Sequence, residues 1–494
     1  MAPLSAAVMA LASGLATAQD GGGGRATNLT ASVDTQLSYV VNSRTGGLSG
    51  GEFVAEVRPG LQISSRSGRV VGSLSYTLGL SHHSRANDGD DVQHQLNANF
   101  SAEAIERWMY VDGTATVSQQ TVSAFGQQTA PGSTQDNPNR IEVATVSLSP
   151  YVRGVFGSAI NYEARLTGNA TNGRHSIAAD SSGTAASLSL SSAISGTAIG
   201  WGFLGLTQTS SYRAGRETKN DRYSGSLSYT PDADLSFSLR GGQESTDIAS
   251  ASKTTYNNWG VGGTWRPTPR TRAQFDTDDR YFGRSYRVLL EHRLASSSVQ
   301  FSSSRDSSSG ADGGAGQRIT LYQVFFAQFA SIQPDPVLRD LLVTDFLRAQ
   351  NLDPNAVVSG GFLNTAVTVQ QRHQLTLSYA GLRMAGSVQA YAINSRVVDA
   401  AATTANQNTR QWGYLANASY RLTPDESLAL TGSQLVTQAT ATQGSTNLKS
   451  LSLSLSSQLA RRTSASLSVR YSVFTSATDP YREAGVTASL SQRF

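Results

Sequence analysis

The chain reads as an all-β protein: a transmembrane, antiparallel, up-and-down outer-membrane β-barrel of about 22 strands, with one long, partly helical insertion on the extracellular side. Three observations predict it. Segment after segment alternates apolar and polar residues with period two, which gives a strand one apolar and one polar face. The connections alternate short and long, as in barrels with tight periplasmic turns and longer extracellular loops. Charged residues are only 15% of the 494, yet no run approaches the ~20 apolar residues of a membrane helix. Ser, Thr, Gln, Asn and Gly supply the polarity, as expected when half of every strand faces lipid and half a wet lumen.

The N-terminus has the form of an export signal. Ala6 to Leu15 is short and apolar, and Ala16-Thr17-Ala18 fits a small-x-small cleavage pattern, although no Lys or Arg precedes the run. Residues 1–18 are expected to be a signal peptide, 19–28 a flexible leader and 29–494 the barrel. The first strand is expected over Leu29–Val41. The second, Glu52–Ser64, sets Phe53, Ala55, Val57, Leu61 and Ile63 against Glu52, Glu56, Arg58 and Gln62. A tight turn, Arg66–Arg69, leads to Val70–Leu80, and a long polar loop, His82 to Asp91, to Val92–Ile105. Glu106–Trp108 turns tightly into Met109–Val122. The long Phe125–Asn139 connection then precedes Arg140–Val155.

The rhythm continues. Tight turns are expected at Phe156–Ser158, Ser195–Thr197, Pro231–Asp234 and Pro267–Pro269. Long connections are expected at Asn169–Gly183, Tyr212–Lys219, Ser245–Lys253 and Asp279–Gly283. Gly381–Arg383, Thr423–Asp425 and Arg461–Thr463 are tight, whereas Val397–Thr409, Gln438–Asn447 and Ser476–Arg482 are long. The last strand puts Ala484, Val486, Ala488, Leu490 and Phe494 on one face and Glu483, Thr487, Ser489, Ser491 and Arg493 on the other. Ending on an aromatic residue matches the C-terminal signal of outer-membrane barrels. Gln492 departs from it, standing where an apolar side chain is usual.

Alternation also assigns the wet face. A charge facing lipid costs ~2–4 kcal/mol near the midplane, so charged residues should line the lumen: Arg58, Arg272, Asp276, Arg287, Glu291, Arg293 and Arg372. Tyr76, Trp108, Tyr110, Tyr151, Trp201, Tyr229, Trp265 and Tyr420 lie near expected strand ends, where amphipathic rings suit the lipid–water interface.

One segment, 306–362, breaks the rhythm. A connection so long is commonly functional. It opens Gly-rich, then turns apolar from Ile319 to Ala330. Asp335 and Pro336 give a helix start, and Asp353-Pro354 a stop. Its apolar residues Tyr322, Phe325, Phe326, Phe329, Leu338, Leu342 and Phe346 need a partner, so the segment is expected to fold inward as a gate or plug. Docking another protein is the alternative.

No residues assemble a recognisable active site. With no cysteine, thiolate zinc sites and cysteine nucleophiles are excluded. A net charge of +4, spread along the chain, does not suggest nucleic acid. His82 and His83 lie near Asp88, Asp90 and Asp91, where weak calcium binding is conceivable, but the spacing matches no established loop and a solvated loop is the simpler reading. Glu291 and His292 are neighbours on a strand and point to opposite faces, and Asp278-Asp279 is likewise no glycosidase pair. The hydroxyls of Ser450–Ser457 read as wet lumen lining. No catalytic residue, cofactor or metal is assigned, and the protein is read as a non-enzyme.

Several motifs resemble a known family. Arg107-Trp-Met-Tyr-Val-Asp112, Ser118-Gln-Gln-Thr-Val-Ser-Ala-Phe-Gly126, Val57-Arg-Pro-Gly60, Ser149-Pro-Tyr-Val-Arg153, Arg280-Tyr-Phe-Gly283, Gly361-Phe-Leu363, Gln371-Arg372 and Gly381-Leu-Arg383 resemble the PEP-CTERM system-associated outer-membrane β-barrel proteins. The resemblance implies the outer membrane of a Gram-negative bacterium and gene neighbourhoods for exopolysaccharide production, and it supplies no catalytic residue. The first functional reading is therefore exopolysaccharide assembly or export through a gated pore, with outer-membrane lipid, polysaccharide and periplasmic export machinery as partners. A general or substrate-specific porin is the second reading, and an outer-membrane hydrolase or acyltransferase the third.

Overall fold

A computed structural model of the chain describes residues 27–44, 50–66, 68–84, 91–130, 132–133, 137–174, 180–192, 198–213, 215–250, 252–308, 362–363, 366–398 and 408–494, together with 319–320, 322, 326, 339, 343 and 357–359. The strands are β1 Thr27–Arg44, β2 Gly50–Arg66, β3 Val70–His83, β4 Asp91–Ile105, β5 Met109–Thr121, β6 Arg140–Phe156, β7 Ile160–Gly173 and β8 Ser181–Ser192. They continue as β9 Ile199–Tyr212, β10 Glu217–Tyr229, β11 Leu235–Thr246, β12 Thr254–Thr268, β13 Thr271–Arg280, β14 Gly283–Arg293 and β15 Ser297–Ser308. Two short strands, β16 Ile319–Thr320 and β17 Val357–Ser359, pair with each other. The series ends with β18 Thr368–Ala380, β19 Met384–Val397, β20 Asn408–Arg421, β21 Glu426–Thr437, β22 Thr446–Ala460, β23 Thr463–Thr475 and β24 Tyr481–Arg493.

All but β16 and β17 form one 22-stranded antiparallel sheet. The sheet closes on itself because β1 pairs with both β2 and β24. The Phe494 N–H, one residue beyond β24, still donates to the Ala31 carbonyl. Closure leaves no unpaired edge, which a strand in hydrocarbon requires. Gln492 holds its unusual place by side-chain bonding: its amide oxygen accepts from the Thr463 hydroxyl at 2.5 Å and its amide nitrogen donates to the Arg493 carbonyl.

The burial pattern turns the alternation into two surfaces. Leu227, Leu239, Leu451, Leu453, Leu467, Val486 and Leu490 are exposed on the outside, where the solvent is lipid. Trp108, Trp201, Tyr229, Trp265 and Tyr420 sit exposed at the short-turn end, and Tyr39, Phe53, Trp259, Trp412 and Tyr471 form an outward set nearer the long-loop end. A closed barrel with an apolar outside, a polar inside and aromatic girdles is an outer-membrane barrel, with its short turns toward the periplasm. Tyr110 and Tyr151 correct the interface expectation: both turn into the lumen, because β5 and β6 carry their apolar residues at odd and even positions respectively. Tyr76 is half-buried and bonds His94 at 2.8 Å.

Three connections are shorter than their polarity suggested. Strands β7 and β8 run on to Gly173 and from Ser181, and β9 and β10 leave only 213–216 between them. The expected Asp279–Gly283 loop is a two-residue turn at Tyr281-Phe282, with Gly283 at φ +95°. Polar, Gly-containing sequence does not distinguish a loop from the wet end of a strand. Residues 1–26, and so the expected signal peptide and most of the leader, lie outside the described residues.

The two-faced wall makes a direct prediction. Leu188 faces lipid and is 42% exposed, whereas Ser189 faces the lumen beside Glu163 in register. Leu188→Arg should cost ~2–4 kcal/mol, and Ser189→Arg should stay within about 0.5 kcal/mol. Urea titration of the heat-modifiable folded band checks both; equal costs would mean the faces are misassigned.

Candidate functional site

The lumen is the site, and three groups of residues shape it. The first is the connection between β5 and β6, whose described residues, 122–130, 132–133 and 137–139, turn inward instead of standing out from the rim. It is ordered by its own polar side chains. The Asn139 amide donates to the Ser123 and Gln127 carbonyls, and the Asn137 amide to Gln127. A Cβ on Gly126 would lie 2.5 Å from the Asn139 amide, so a larger residue there would push that amide off the carbonyls it bonds.

Strands β21 to β24, eight to five positions from β5 around the ring, hold the loop. The Thr437 hydroxyl donates to the Ala124 carbonyl at 3.2 Å, and the Tyr481 hydroxyl to the Gln128 carbonyl at 2.7 Å. Ser133 donates to Glu483 at 2.8 Å, and Arg470 reaches both the Gly132 carbonyl and Glu483. Thr437, Tyr481 and Glu483 are all at most 2% exposed. An apolar seat of Leu448, Phe474 and Tyr481 lies on the same wall.

The insertion meets this loop from the other side. The Leu363 N–H donates to the Thr121 carbonyl at 3.0 Å, and Phe362 packs on Ala124 and Phe125. In the ring of 22, β5 stands opposite β18, the strand the insertion leads into. The mouth at the long-loop end is thus spanned from both sides. Of the expected gate residues, Phe325, Phe329, Leu338, Leu342 and Phe346 lie outside the described residues, as does most of the expected helix. Tyr322, Phe326, Arg339 and Val343 have helical backbone. The Tyr322 and Phe326 rings stack at 5.5 Å, with the Arg339 guanidinium 4.8 Å over Phe326.

The second group is an ion-paired wall on β10 to β15. Arg280 forks onto Glu244 at 2.7 and 2.8 Å and also reaches Asp306 at 3.2 Å. Arg240 bridges Asp276 and Asp278 at 3.1 and 3.3 Å, and Arg222 reaches Asp278 at 3.4 Å. These pairs span more than adjacent strands because β12 presents Gly260 and Gly262 between them. A Cβ at Gly260 would sit 1.8 Å from an Asp278 oxygen, and one at Gly262 2.4 Å from Asp276. The carboxylates lie in the space the missing side chains leave. Above this wall, Tyr212, Ile248, Tyr281 and Val367 pack together, and burial pushes the Tyr281 hydroxyl up to about 12.

The third group lies at the short-turn end and joins two of the family-like motifs. Tyr110 and Tyr151 are register partners with rings 5.3 Å apart. Arg153 stands 4.3 Å over Tyr110 and Arg165 stands 3.8 Å over Tyr151. Arg165 also pairs with Asp112 at 2.9 Å and Glu163 at 3.0 Å. Guanidinium and phenol faces attract through the ring quadrupole, so this stack fixes four side chains at the periplasmic mouth. The motifs at Ser118–Gly126 and Gly361–Leu363 likewise meet, through Phe125 and Phe362.

The residues expected to line the lumen occupy three sectors. Arg58 pairs with Glu56 at 2.6 Å, Arg272 donates to Gln274, and Asp276 belongs to the ion-paired wall. Arg287 is opposite Asp276 in register, and Glu291 pairs with Arg293 at 2.6 Å. Arg372 shares the inward parity of Gln374 on β18, opposite the outward Leu375 and Leu377. Sequence reasoning missed Arg222, Arg240, Glu244, Arg280, Arg470 and Glu483 as partners. The signal available was same-parity charges on strands flanking a Gly-x-Gly strand. His83 bonds Glu52 at 3.0 Å, and Asp88 and Asp90 lie outside the described residues.

No protein-family model and no curated protein sequence matches the chain. Solved structures with a similar trace include the FrpB iron transporter from Neisseria meningitidis (F5-1 variant), with TM-score 0.46, 9% identity, and coverage of 94% of this chain and 82% of that one. Two from Pseudomonas aeruginosa are OccK8 (OprE), at 0.35 and 12%, covering 94% and 98%, and OpdK with vanillate, at 0.36 and 8%, covering 94% and 99%. Likeness at this level transfers neither substrate nor mechanism.

Proposed function

We propose that the chain is a non-enzymatic, gated outer-membrane pore that passes a hydrated polymer in exopolysaccharide assembly or export. The observation that carries the gated-pore reading is the inward loop: it hangs from β5 and β6 and is tied to β21 through β24, across an otherwise polar lumen. A purely structural barrel has no need of such a crossbar. The ties are hydrogen bonds and one ion-pair cluster, not a continuous apolar core, so they can be exchanged for water. The insertion, partly helical in this reading, supplies the second leaf of the gate. The polysaccharide cargo rests on the family resemblance of the motifs, two pairs of which form contacts in the lumen. A porin unrelated to polysaccharide is the second reading, favoured by the same wet, ion-paired wall.

The test is deletion of the gene in its own host, with polysaccharide quantified outside the cell and in the periplasm. Loss outside with accumulation inside is the expected result. Unchanged polymer in both compartments would leave the porin reading and remove the export one.

A further inference from the structure

We propose that the outer surface of β19 to β24 is a binding site for the phosphorylated headgroup of the outer-leaflet glycolipid, lipid A. Arg396 on β19, Arg410 on β20, Lys449 on β22 and Arg482 on β24 all have the lipid-facing parity and are exposed at the long-loop end. Their outward direction follows from their neighbours. Arg410 precedes Trp412 and Tyr414, Lys449 precedes Leu451 and Leu453, and Arg482 is followed by Ala484 and Val486, with the large apolar residues of each set exposed to lipid. Each cation therefore stands just beyond the end of the apolar band, on the extracellular side of the aromatic girdle. That is the level of a lipid headgroup, where long cationic side chains place their charge.

None of the four is in an ion pair among the described residues. The contrast with the opposite wall is direct. There outward charges meet acids at three places, Lys253 with Asp221 at 2.5 Å, Lys219 with Glu217 at 3.3 Å and Arg284 with Asp279 at 3.4 Å, and Arg305 is held by the Arg284 and Phe282 carbonyls. On the outward positions of β19 to β24 the described residues include one acid, Glu426, at the far, short-turn end of β21. Register ties two of the cations together, since Lys449 and Arg482 both pair with Val473. Two strand spacings put their backbones roughly 10 Å apart. A headgroup with two separated phosphates can be held between them, and arginine can take phosphate oxygens bidentately. The acyl chains would lie on the adjoining Leu451, Leu453, Tyr471 and Val486. This site is independent of whether the lumen conducts.

The experiment compares purified, folded wild type with the variant Arg396→Gln, Arg410→Gln, Lys449→Gln, Arg482→Gln. Binding of hexa-acylated, bis-phosphorylated lipid A in detergent is measured by native mass spectrometry. Each juxtamembrane cation contributes modestly, and the four together should make the variant bind about 100-fold more weakly. Dephosphorylated lipid A should bind wild type as weakly as the variant binds the phosphorylated form. If the fourfold variant does not fold, the Lys449→Gln, Arg482→Gln pair is measured instead, and a clear loss is still expected. Equal binding by wild type and variant, or no effect of removing the phosphates, would overturn the proposal. Equal binding of phosphatidylglycerol vesicle lipid would overturn its assignment to lipid A.

Discussion

Excising residues 124–136 is expected to raise the single-channel conductance severalfold and to abolish most of its fluctuation. The loop runs from one wall of the barrel to strands on another. Its contacts with Thr437, Thr446, Tyr481, Glu483 and Arg470 place it in the path of anything crossing the mouth. Excision also removes Ala124 and Phe125, the surface on which Phe362 packs, so the insertion loses its anchor as well. The barrel itself should survive, because β5 and β6 remain paired from Met109↔Val152 to Thr121↔Arg140. A milder variant, Arg470→Ala, keeps the loop but removes the guanidinium that joins Gly132 to Glu483. It should increase open-state flicker with little change in the fully open current. Planar-bilayer recording of both variants is the measurement. An excised barrel with wild-type conductance would show that the constriction lies elsewhere.

The barrel could be read from the sequence, and the crossbar could not. Strand count, alternation and the short–long rhythm are local properties, fixed residue by residue by the need to face lipid or water. Leu451 to Leu455 alternating with serine is enough to orient β22. Whether a polar loop stands out from the rim or folds inward depends on partners hundreds of positions away, such as Tyr481 for Gln128. No pattern near Phe125 names them. The internal signal was present in Asn137, Asn139 and Gly126, which order the loop, but it does not give direction. The ion-paired wall was half legible: Asp276 and Arg272 had the right parity, yet their neighbours required knowing that glycines on β12 let side chains reach across it. The two motif tyrosines, Tyr110 and Tyr151, lie near strand ends, which points to the interface, but their parity on β5 and β6 turns them into the lumen. Parity was the better guide.

Glu244→Gln is expected to be the most destabilising single conservative change in the lumen wall. The Glu244 side chain is fully buried and Arg280 is 10% exposed, so the pair is shielded on both sides. Its two short hydrogen bonds, 2.7 and 2.8 Å, offset the cost of taking both charges out of water. Gln keeps the shape and one acceptor but removes the charge, leaving Arg280 with the half-exposed Asp306. Breaking one side of a buried pair costs ~3–5 kcal/mol, whereas replacing both partners by apolar groups is often close to neutral. Glu244→Leu combined with Arg280→Met should therefore be more stable than Glu244→Gln alone. Urea unfolding in detergent micelles, followed by tryptophan fluorescence, decides the order. If Glu244→Gln unfolds at the wild-type midpoint, water reaches this pair from the lumen, and the Tyr281 and Val367 cap above it does not seal. If the order holds, the wall is a rigid frame, and the exchangeable contacts of the mouth are those of the loop facing it.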